Sequence, residues 1–215
     1  MHNLFSPDSK FIHYTNKFSD LVTLNLWLIL TCLPVFTVGA SVTAMHVVLL
    51  KIYRDELYQG VTKCFFQAFK SNFRQASIIW GIYATLSIVL ITDFYWINAS
   101  TFPWILALKI ILIIICTLML LSMNWVFVLQ SRYSNTVLAT IRNALIFSAI
   151  HFVDSILMVV MLVLPIVLLL WQPSTVPFIL ICGFTLSGIT RAAFYNRIFI
   201  KYESVSKTND TNQKH

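Results

Sequence analysis

The chain has 215 residues, of which 58% are hydrophobic and only 11% charged, and its formal net charge is +7. Soluble domains carry about 25% charged residues, so this composition excludes a soluble globular protein and indicates an integral membrane protein with several apolar segments. The basic residues stand beside the apolar runs, which is typical of membrane orientation and of contact with anionic lipid headgroups. We therefore expect the lipid bilayer as a partner and no nucleic acid.

Residues 1–20 are predicted to form an amphipathic helix that lies at the membrane interface. Phe11, Tyr14 and Phe18 recur at helical spacing, with Lys17 between them. This pattern favours a helix that buries one face at the boundary between headgroups and acyl chains.

Residues 21–53 form the first apolar segment, which is broken in its middle. No charged side chain occurs between residues 21 and 50, and a straight helix of that length would measure about 45 Å, well beyond the roughly 30 Å hydrocarbon core. The break, between Pro34 and Gly39, carries residues that interrupt a helix or let another backbone approach closely. With the polar residues around it, the break comprises Pro34, Thr37, Gly39, Ser41 and Thr43.

Two alternatives remain open for the break. The segment is either a bent helix that overshoots the membrane, which gives five crossings, or a hairpin that returns, which gives six. Irregular backbone at membrane depth must be buried in protein or line a wet cavity. The break is therefore either a kink with a structural role or the strongest candidate for a binding locus in the sequence.

Residues 58–75 are predicted to form a cytoplasmic amphipathic helix. Its phenylalanines occupy one arc and its basic residues another, about a third of a turn away. The set is Lys63, Phe65, Phe66, Phe69, Lys70, Phe73 and Arg74. Such a helix places its rings in the acyl boundary and its bases at the lipid phosphates. The alternative is a docking helix for a partner protein, comparable to the coupling helices that ABC permeases present to their ATPase.

Four transmembrane segments are predicted after this helix, at residues 76–97, 102–129, 152–171 and 176–194. The polar residues 204–215 lack an apolar face and are predicted to be a disordered cytoplasmic tail. The fold class is therefore all-α. We expect one membrane domain over residues 1–203, a polytopic helical bundle of five hydrophobic segments with the first one broken, together with the interfacial helices.

The distribution of basic residues orients the chain. Lysines and arginines crowd residues 51–74, recur in the connection 130–143 and continue from Arg191 onward, whereas residues 98–103 and 172–175 carry no charge. Because basic loops stay cytoplasmic, the two neutral turns are predicted to face outward and the C-terminus to be cytoplasmic.

Few ionisable residues lie within the apolar segments. Asp93 and Lys109, near the outer ends of neighbouring spans, are a candidate ion pair; the alternative is that Asp93 lies at the headgroups and Lys109 snorkels to the interface. His151 and Asp154 share a helix face at the cytoplasmic boundary, but two ligands do not make a zinc site. Asn124 is predicted to hydrogen-bond to another helix.

The sequence contains no motif of a serine hydrolase, a zinc protease or a P-loop ATPase, and its four cysteines stand far apart. We therefore expect no catalytic residue, no metal ion and no cofactor. Polar residues are also scarce at the depth of the membrane midplane, which argues against a self-sufficient ion-coupled transporter or channel.

Two stretches together resemble one known family. They are DLVTLNLWLILTCLPVFTVGASVTAMHVVLLKIYRDE and FFQAFKSNFRQASIIW, which lie between Asp20 and Trp80. They are similar to the signature of the YesL-like membrane proteins, a domain-of-unknown-function family (number 624) of Gram-positive bacteria. His46 stands where that signature more often has an aromatic or aliphatic residue.

The resemblance implies a location in the cell membrane but no mechanism, because the biochemical activity of the family is not established. Its members are often encoded near components of sugar-uptake ABC transporters. The resemblance therefore implies an accessory or regulatory role in carbohydrate uptake, with subunits of a sugar ABC transporter as candidate partners. The alternative is a small solute transporter with its site at the broken first segment.

Overall fold

The computed structural model describes residues 10–99, 104–133 and 135–212. These residues form helices and irregular connections with no strand among them, which confirms the predicted all-α class. The helices are α1 (Lys10–Cys32), α2 (Val38–Tyr53), α3 (Val61–Ala99), α4 (Ile105–Arg132), α5 (Val137–Ile150), α6 (Phe152–Trp171), the single turn α7 (Val176–Phe178) and α8 (Phe184–Asn212). Part of the predicted interfacial helix, residues 1–9, and the last three residues of the predicted tail lie outside the described residues.

Five helical stretches are long and apolar enough to cross a membrane. They are Val35–Tyr53, Val61–Ala99, Ile105–Arg132, Phe152–Trp171 and Val176–Ile200. These stretches confirm the prediction of a polytopic helical membrane protein with five hydrophobic segments.

α1 and α2 form an antiparallel hairpin. α1 ends at Cys32 because Pro34, which is extended (φ −76°, ψ 119°), cannot continue the hydrogen-bond pattern of the helix. At the other end of the hairpin, Lys17 Nζ lies 2.8 Å from Asp55 Oδ1. The start of α1 and the end of α2 are therefore on the same side of the molecule. Of the two alternatives for the broken segment, the structure shows the returning chain.

α3 joins two segments that the sequence predicts as separate. The predicted interfacial helix at 58–75 and the predicted span at 76–97 form one helix of 39 residues, from Val61 to Ala99. No proline or glycine occurs between Val61 and Gly81, and extending a helix costs less than starting a new one. Because both segments belong to this one helix, the prediction of a separate interfacial helix was wrong. At about 58 Å, α3 is longer than the hydrocarbon core is thick.

Two further differences concern segments that the sequence predicts to be irregular. Within the connection predicted at 130–143, α5 begins after Thr136, whose hydroxyl accepts a hydrogen bond from the Ala139 amide at 3.4 Å. α8 continues to Asn212 through most of the predicted disordered tail. In both places the chain carries no proline. The tail extends a helix that already exists, which is favourable even without an apolar face.

α2 lies at the centre of the packed core. It packs against α1, α3, α4 and α8, and 61% of its apolar window is buried, compared with 17–22% for α3, α4 and α6. Gly39 permits the closest of these approaches, because a Cβ at that position would collide with the carbonyl oxygen of Ala76 and lie 2.8 Å from the Cβ of Trp80. α2 is therefore surrounded by protein over most of its length.

Candidate functional site

The polar residues of the break are engaged with their own segment. Thr37 Oγ1 donates to the carbonyl oxygens of Thr31 (2.5 Å) and Pro34 (2.6 Å), which fixes the turn between α1 and α2. The hydroxyls of Ser41 and Thr43 each donate to the carbonyl oxygen four residues earlier, at 3.0 and 2.8 Å. All three side chains are buried. The break thus has a structural role, and its hydroxyl protons are already used.

At the open end of the hairpin, the ion pair of Lys17 and Asp55 is accompanied by a third charged residue. Asp20 lies with both of them around one surface depression, together with Asn16 and Leu57. Partial burial raises the pKa of the Asp20 carboxyl above its ordinary value. This corner closes the hairpin, and its charges remain partly accessible to water.

The phenylalanine face of α3 packs on protein rather than lying wholly in the acyl boundary. Phe65 is fully buried, and the ring of Phe66 meets Trp27 of α1 edge-on at 4.7 Å. Phe69 stacks on Phe65 at 6.1 Å and also approaches Phe73. The expectation of rings in lipid was wrong for Phe65, because this half of α3 packs against the hairpin.

The basic residues of the same helix segment point away from the core. We call Lys63, Lys70 and Arg74 the basic face; all three are exposed. In the part of the chain that the structure describes, none of them forms an ion pair or a side-chain hydrogen bond. The aromatic and basic residues of α3 therefore occupy separate arcs, as predicted. The buried ring, that of Phe65, packs against protein rather than lipid.

The structure does not pair Asp93 with Lys109. Asp93 is exposed and Lys109 is half-buried, and no ion pair joins them within the described ranges. The arrangement favours the alternative, in which each side chain reaches the interface from its own helix end.

The two other predicted polar sites differ in outcome. His151 and Asp154 do meet, with Nδ1 and Oδ2 3.5 Å apart, at the junction of α5 and α6. Asn124 does not reach another helix. Its amide nitrogen donates to the Leu120 carbonyl of α4 at 3.0 Å, so the predicted interhelical hydrogen bond was wrong. The side-chain amide of an asparagine in a helix can donate to the carbonyl oxygen one turn earlier in the same helix, so it needs no partner helix.

A group of buried polar residues between α2 and α8 was missed by the sequence analysis. His46 of α2 and Arg191 and Tyr195 of α8 are 2%, 5% and 0% exposed, and we call them the central cluster. The rings of His46 and Tyr195 meet edge-on at 5.7 Å. Arg191 and Tyr195 are one helical turn apart on the same face of α8, and Arg191 is close enough to act electrostatically on both other residues.

Each member of the central cluster has a polar atom without a partner. His46 Nδ1, Arg191 Nε and Tyr195 Oη are buried and make no hydrogen bond. Within residues 10–99, 104–133 and 135–212, the Arg191 side chain makes neither a hydrogen bond nor an ion pair. Buried polar groups are nearly always satisfied, so three unsatisfied atoms in one place distinguish this region from the rest of the core.

The surroundings of the central cluster are well satisfied by comparison. Arg54, just after α2, donates from Nε and Nη2 to Asn196 Oδ1 at 2.8 and 2.6 Å. Just before α8 and at its start, Asn25 of α1 donates to the carbonyl oxygens of Ile179 and Leu180 and accepts from the Thr185 amide. Asn25 thereby satisfies the π-helical segment Ile179–Gly183.

One signal in the sequence pointed to the central cluster. Arg191 lies inside the apolar stretch Val176–Ile200, and an ionisable residue within such a stretch is a functional candidate. In the pattern of basic residues, Arg191 stood out only as one of the charges that orient the chain. His46 likewise lies inside an apolar stretch, Val35–Tyr53, but 149 positions separate it from Tyr195 (195 − 46), and no sequence pattern brings the two together.

Residues 21–94 match the family described as "Protein of unknown function, DUF624". The match contains the second half of α1, all of α2 and nearly all of α3, and it includes almost all of the two stretches between Asp20 and Trp80. The resemblance to family 624 is thereby confirmed for this part of the chain. The chain matches no curated protein and no solved structure.

Proposed function

We propose that this chain, whose residues 21–94 carry the DUF624 region, is a non-enzymatic accessory or regulatory subunit of a carbohydrate-uptake system in the cell membrane. In this proposal it acts by binding a membrane transporter of the ABC class rather than by moving the sugar itself. The proposal includes a cytoplasmic C-terminus, in keeping with the basic residues in the connections on that side.

The observation that carries the proposal is the basic face of α3. Lys63, Lys70 and Arg74 are exposed and have no ion-pair partner among the described residues, on the outer side of a helix whose other side is fixed in the core. α3 is longer than the hydrocarbon core is thick, so its basic end extends beyond the apolar region. A rigid, positively charged helix end supplies charge complementarity and orientation for an acidic partner surface.

The alternative, a small solute transporter with its site at the break, has less support. The hydroxyls of Thr37, Ser41 and Thr43 donate to carbonyl oxygens of the same segment. A transporter site requires polar groups that turn toward the solute. Enzymatic activity is also no part of the proposal, since the sequence offers no catalytic motif.

The test compares two double variants with the same change of charge. Lys70→Glu with Arg74→Glu alters the basic face, whereas Arg142→Glu with Arg197→Glu alters two other exposed arginines. In cells that lack the native chain, we expect wild type and the Arg142/Arg197 variant to restore uptake of labelled sugars. We expect the Lys70/Arg74 variant not to restore it and to lose co-purification with ABC subunits in mild detergent.

Two results contradict the proposal. If deletion of the chain leaves the uptake of a panel of labelled mono- and disaccharides unchanged, the accessory role fails. If proteoliposomes that contain only this chain accumulate a labelled sugar, the chain is itself the transporter and the alternative replaces the proposal.

A further inference from the structure

The central cluster contains a buried positive charge that has no counter-charge among the described residues. Arg191 is 5% exposed, and a guanidinium stays protonated in proteins. The acidic residues that the structure pairs lie elsewhere, with Asp55 beside Lys17 and Asp154 beside His151. A buried charge without a partner is strongly unfavourable, so some other group must compensate for Arg191.

Among the described residues, no neighbour accepts a hydrogen bond from Arg191. Gly188, one turn earlier on α8, has no side chain that could accept a hydrogen bond. A Cβ at this position would be 3.9 Å from Arg191 Nη2 and close to Leu49 Cδ1. Tyr195 and His46 contribute a hydroxyl and a ring nitrogen, and both of these atoms are unpaired. Arg54 adds a second guanidinium that acts electrostatically on Tyr195. The region therefore combines two positive charges with polar groups that lack partners.

We propose that the central cluster binds a phosphate-type oxyanion, with the Arg191 guanidinium as the principal ligand and Tyr195 Oη and His46 as further donors. A guanidinium binds phosphate through two parallel N–H donors, which makes arginine the preferred residue for this recognition. The anion supplies both the missing charge for Arg191 and acceptors for the unpaired donors. This inference is independent of the proposed role in carbohydrate uptake.

Two kinds of ligand carry such a phosphate group, namely phospholipid headgroups and free phosphate. Arg191 and Tyr195 lie in the second half of the apolar stretch Val176–Ile200, and Arg54 follows the last residue of α2. Basic sites between helices at the cytoplasmic surface are suited to anionic headgroups. Small soluble phosphates carry the same oxyanion, so the experiment contains one arm for each source.

The experiment measures the thermal stability of the purified full-length chain in a neutral detergent after extensive lipid removal. One arm titrates inorganic phosphate. The other compares mixed micelles of phosphatidylglycerol with micelles of a glucosyl diacylglycerol, which has the same acyl chains but no phosphate. Each titration yields an apparent dissociation constant, since a ligand that binds the folded state raises its melting temperature.

The decisive variants are Arg191→Met and its control Arg197→Met. Both remove one positive charge from α8, but Arg197 is exposed whereas Arg191 is buried. We expect Arg191→Met to weaken binding by about tenfold to a hundredfold, as for the loss of charged hydrogen bonds, and Arg197→Met to leave it unchanged. Phosphate also stabilises proteins by exclusion from their surfaces, but that effect is the same in both variants.

A second expectation separates an anion site from a purely structural arginine. Without added anion, Arg191→Met should melt at the same temperature as wild type or higher, because an apolar side chain replaces an uncompensated charge. Tyr195→Phe keeps the ring that packs on His46 and removes only the hydroxyl. It should fold like wild type and bind the anion several-fold more weakly.

Stabilisation by phosphatidylglycerol alone assigns the site to a lipid headgroup, and stabilisation by inorganic phosphate assigns it to a soluble phosphate; both require the loss in Arg191→Met. Equal responses of Arg191→Met and Arg197→Met overturn the proposal. If Arg191→Met does not fold, an unchanged response of Tyr195→Phe overturns it instead.

Discussion

α2 and α3 are similar in mean hydropathy, 1.8 and 1.7, and opposite in surroundings. Both are apolar enough to cross a membrane, yet 61% of the α2 window is buried in the protein and only 17% of the α3 window. On α3, Ile88 and Ile91 are 66% and 69% exposed, whereas Val48 and Leu49 of α2 are fully buried. Hydropathy measures the avoidance of water. It does not distinguish a helix that faces lipid from one that faces other helices.

The largest effect is expected in a test of the α1–α2 hairpin, because its outcome is all or none. Single cysteines replace Asn16, Tyr58 and Asn98, all exposed, in a chain whose four native cysteines are changed to alanine. Since Lys17 lies against Asp55, positions 16 and 58 should react with an impermeant thiol reagent from the same side of the membrane. Position 98, at the far end of α3, should react from the opposite side. Labelling of positions 16 and 58 from opposite sides contradicts the hairpin.

Tryptophan substitutions compare a core position with a peripheral position. Trp125 of α4 is fully buried, and its Nε1 donates to Ser155 Oγ at 2.7 Å. Trp125→Ala should lower the free energy of unfolding by about 3–5 kcal/mol. Trp171, at the end of α6, is 82% exposed, and Trp171→Ala should change it by about 0.5 kcal/mol or less. Unfolding in mixed micelles measures both. Similar losses from the two variants contradict the assignment of Trp125 to the core.

Two glycines compare the buried helix with the exposed face directly. Gly39 of α2 lies against the backbone of Ala76, whereas nothing is within 4 Å of a Cβ at Gly81 of α3. Gly39→Ala should destabilise the protein by about 1–3 kcal/mol, and Gly81→Ala should stabilise it by up to about 1 kcal/mol through helix propensity. Opposite shifts of the melting temperature check both expectations. If Gly39→Ala is neutral, the close approach of α2 and α3 does not exist.

The smallest effect is expected for the ion pair that closes the hairpin. Lys17 and Asp55 are 30% and 56% exposed in their side chains, so water and salt screen their attraction. A double-mutant cycle of Lys17→Ala and Asp55→Ala should give a coupling energy of about 0.2–1 kcal/mol that decreases at high salt. Strict additivity of the two single changes would show that the pair does not form.

Features set by local pattern were predictable to different degrees. The bounds of α6 agree with the predicted helix at residues 152–171, because a clean apolar run between polar ends determines them. The break at Pro34 was also predictable, since proline cannot continue α1. The continuity of α3 was not, because its amphipathic first half and apolar second half gave different patterns within one helix. α5 was missed because it is shorter than a span and lies in a segment predicted as a connection.

The sequence by itself determined the class of this protein, the existence of its apolar helices and the interruption of the first one, because these depend on composition, periodicity and proline chemistry over short distances. Only the tertiary structure decided that α1 and α2 return as a hairpin, that α2 is surrounded by protein, and that His46 lies against Tyr195. These properties depend on contacts between distant residues. In an apolar chain many pairings of helices bury similar surfaces, so the local pattern of residues does not select one of them. A contact such as the hydrogen bond from the Thr185 amide to Asn25 depends on how closely the helices pack in the folded chain.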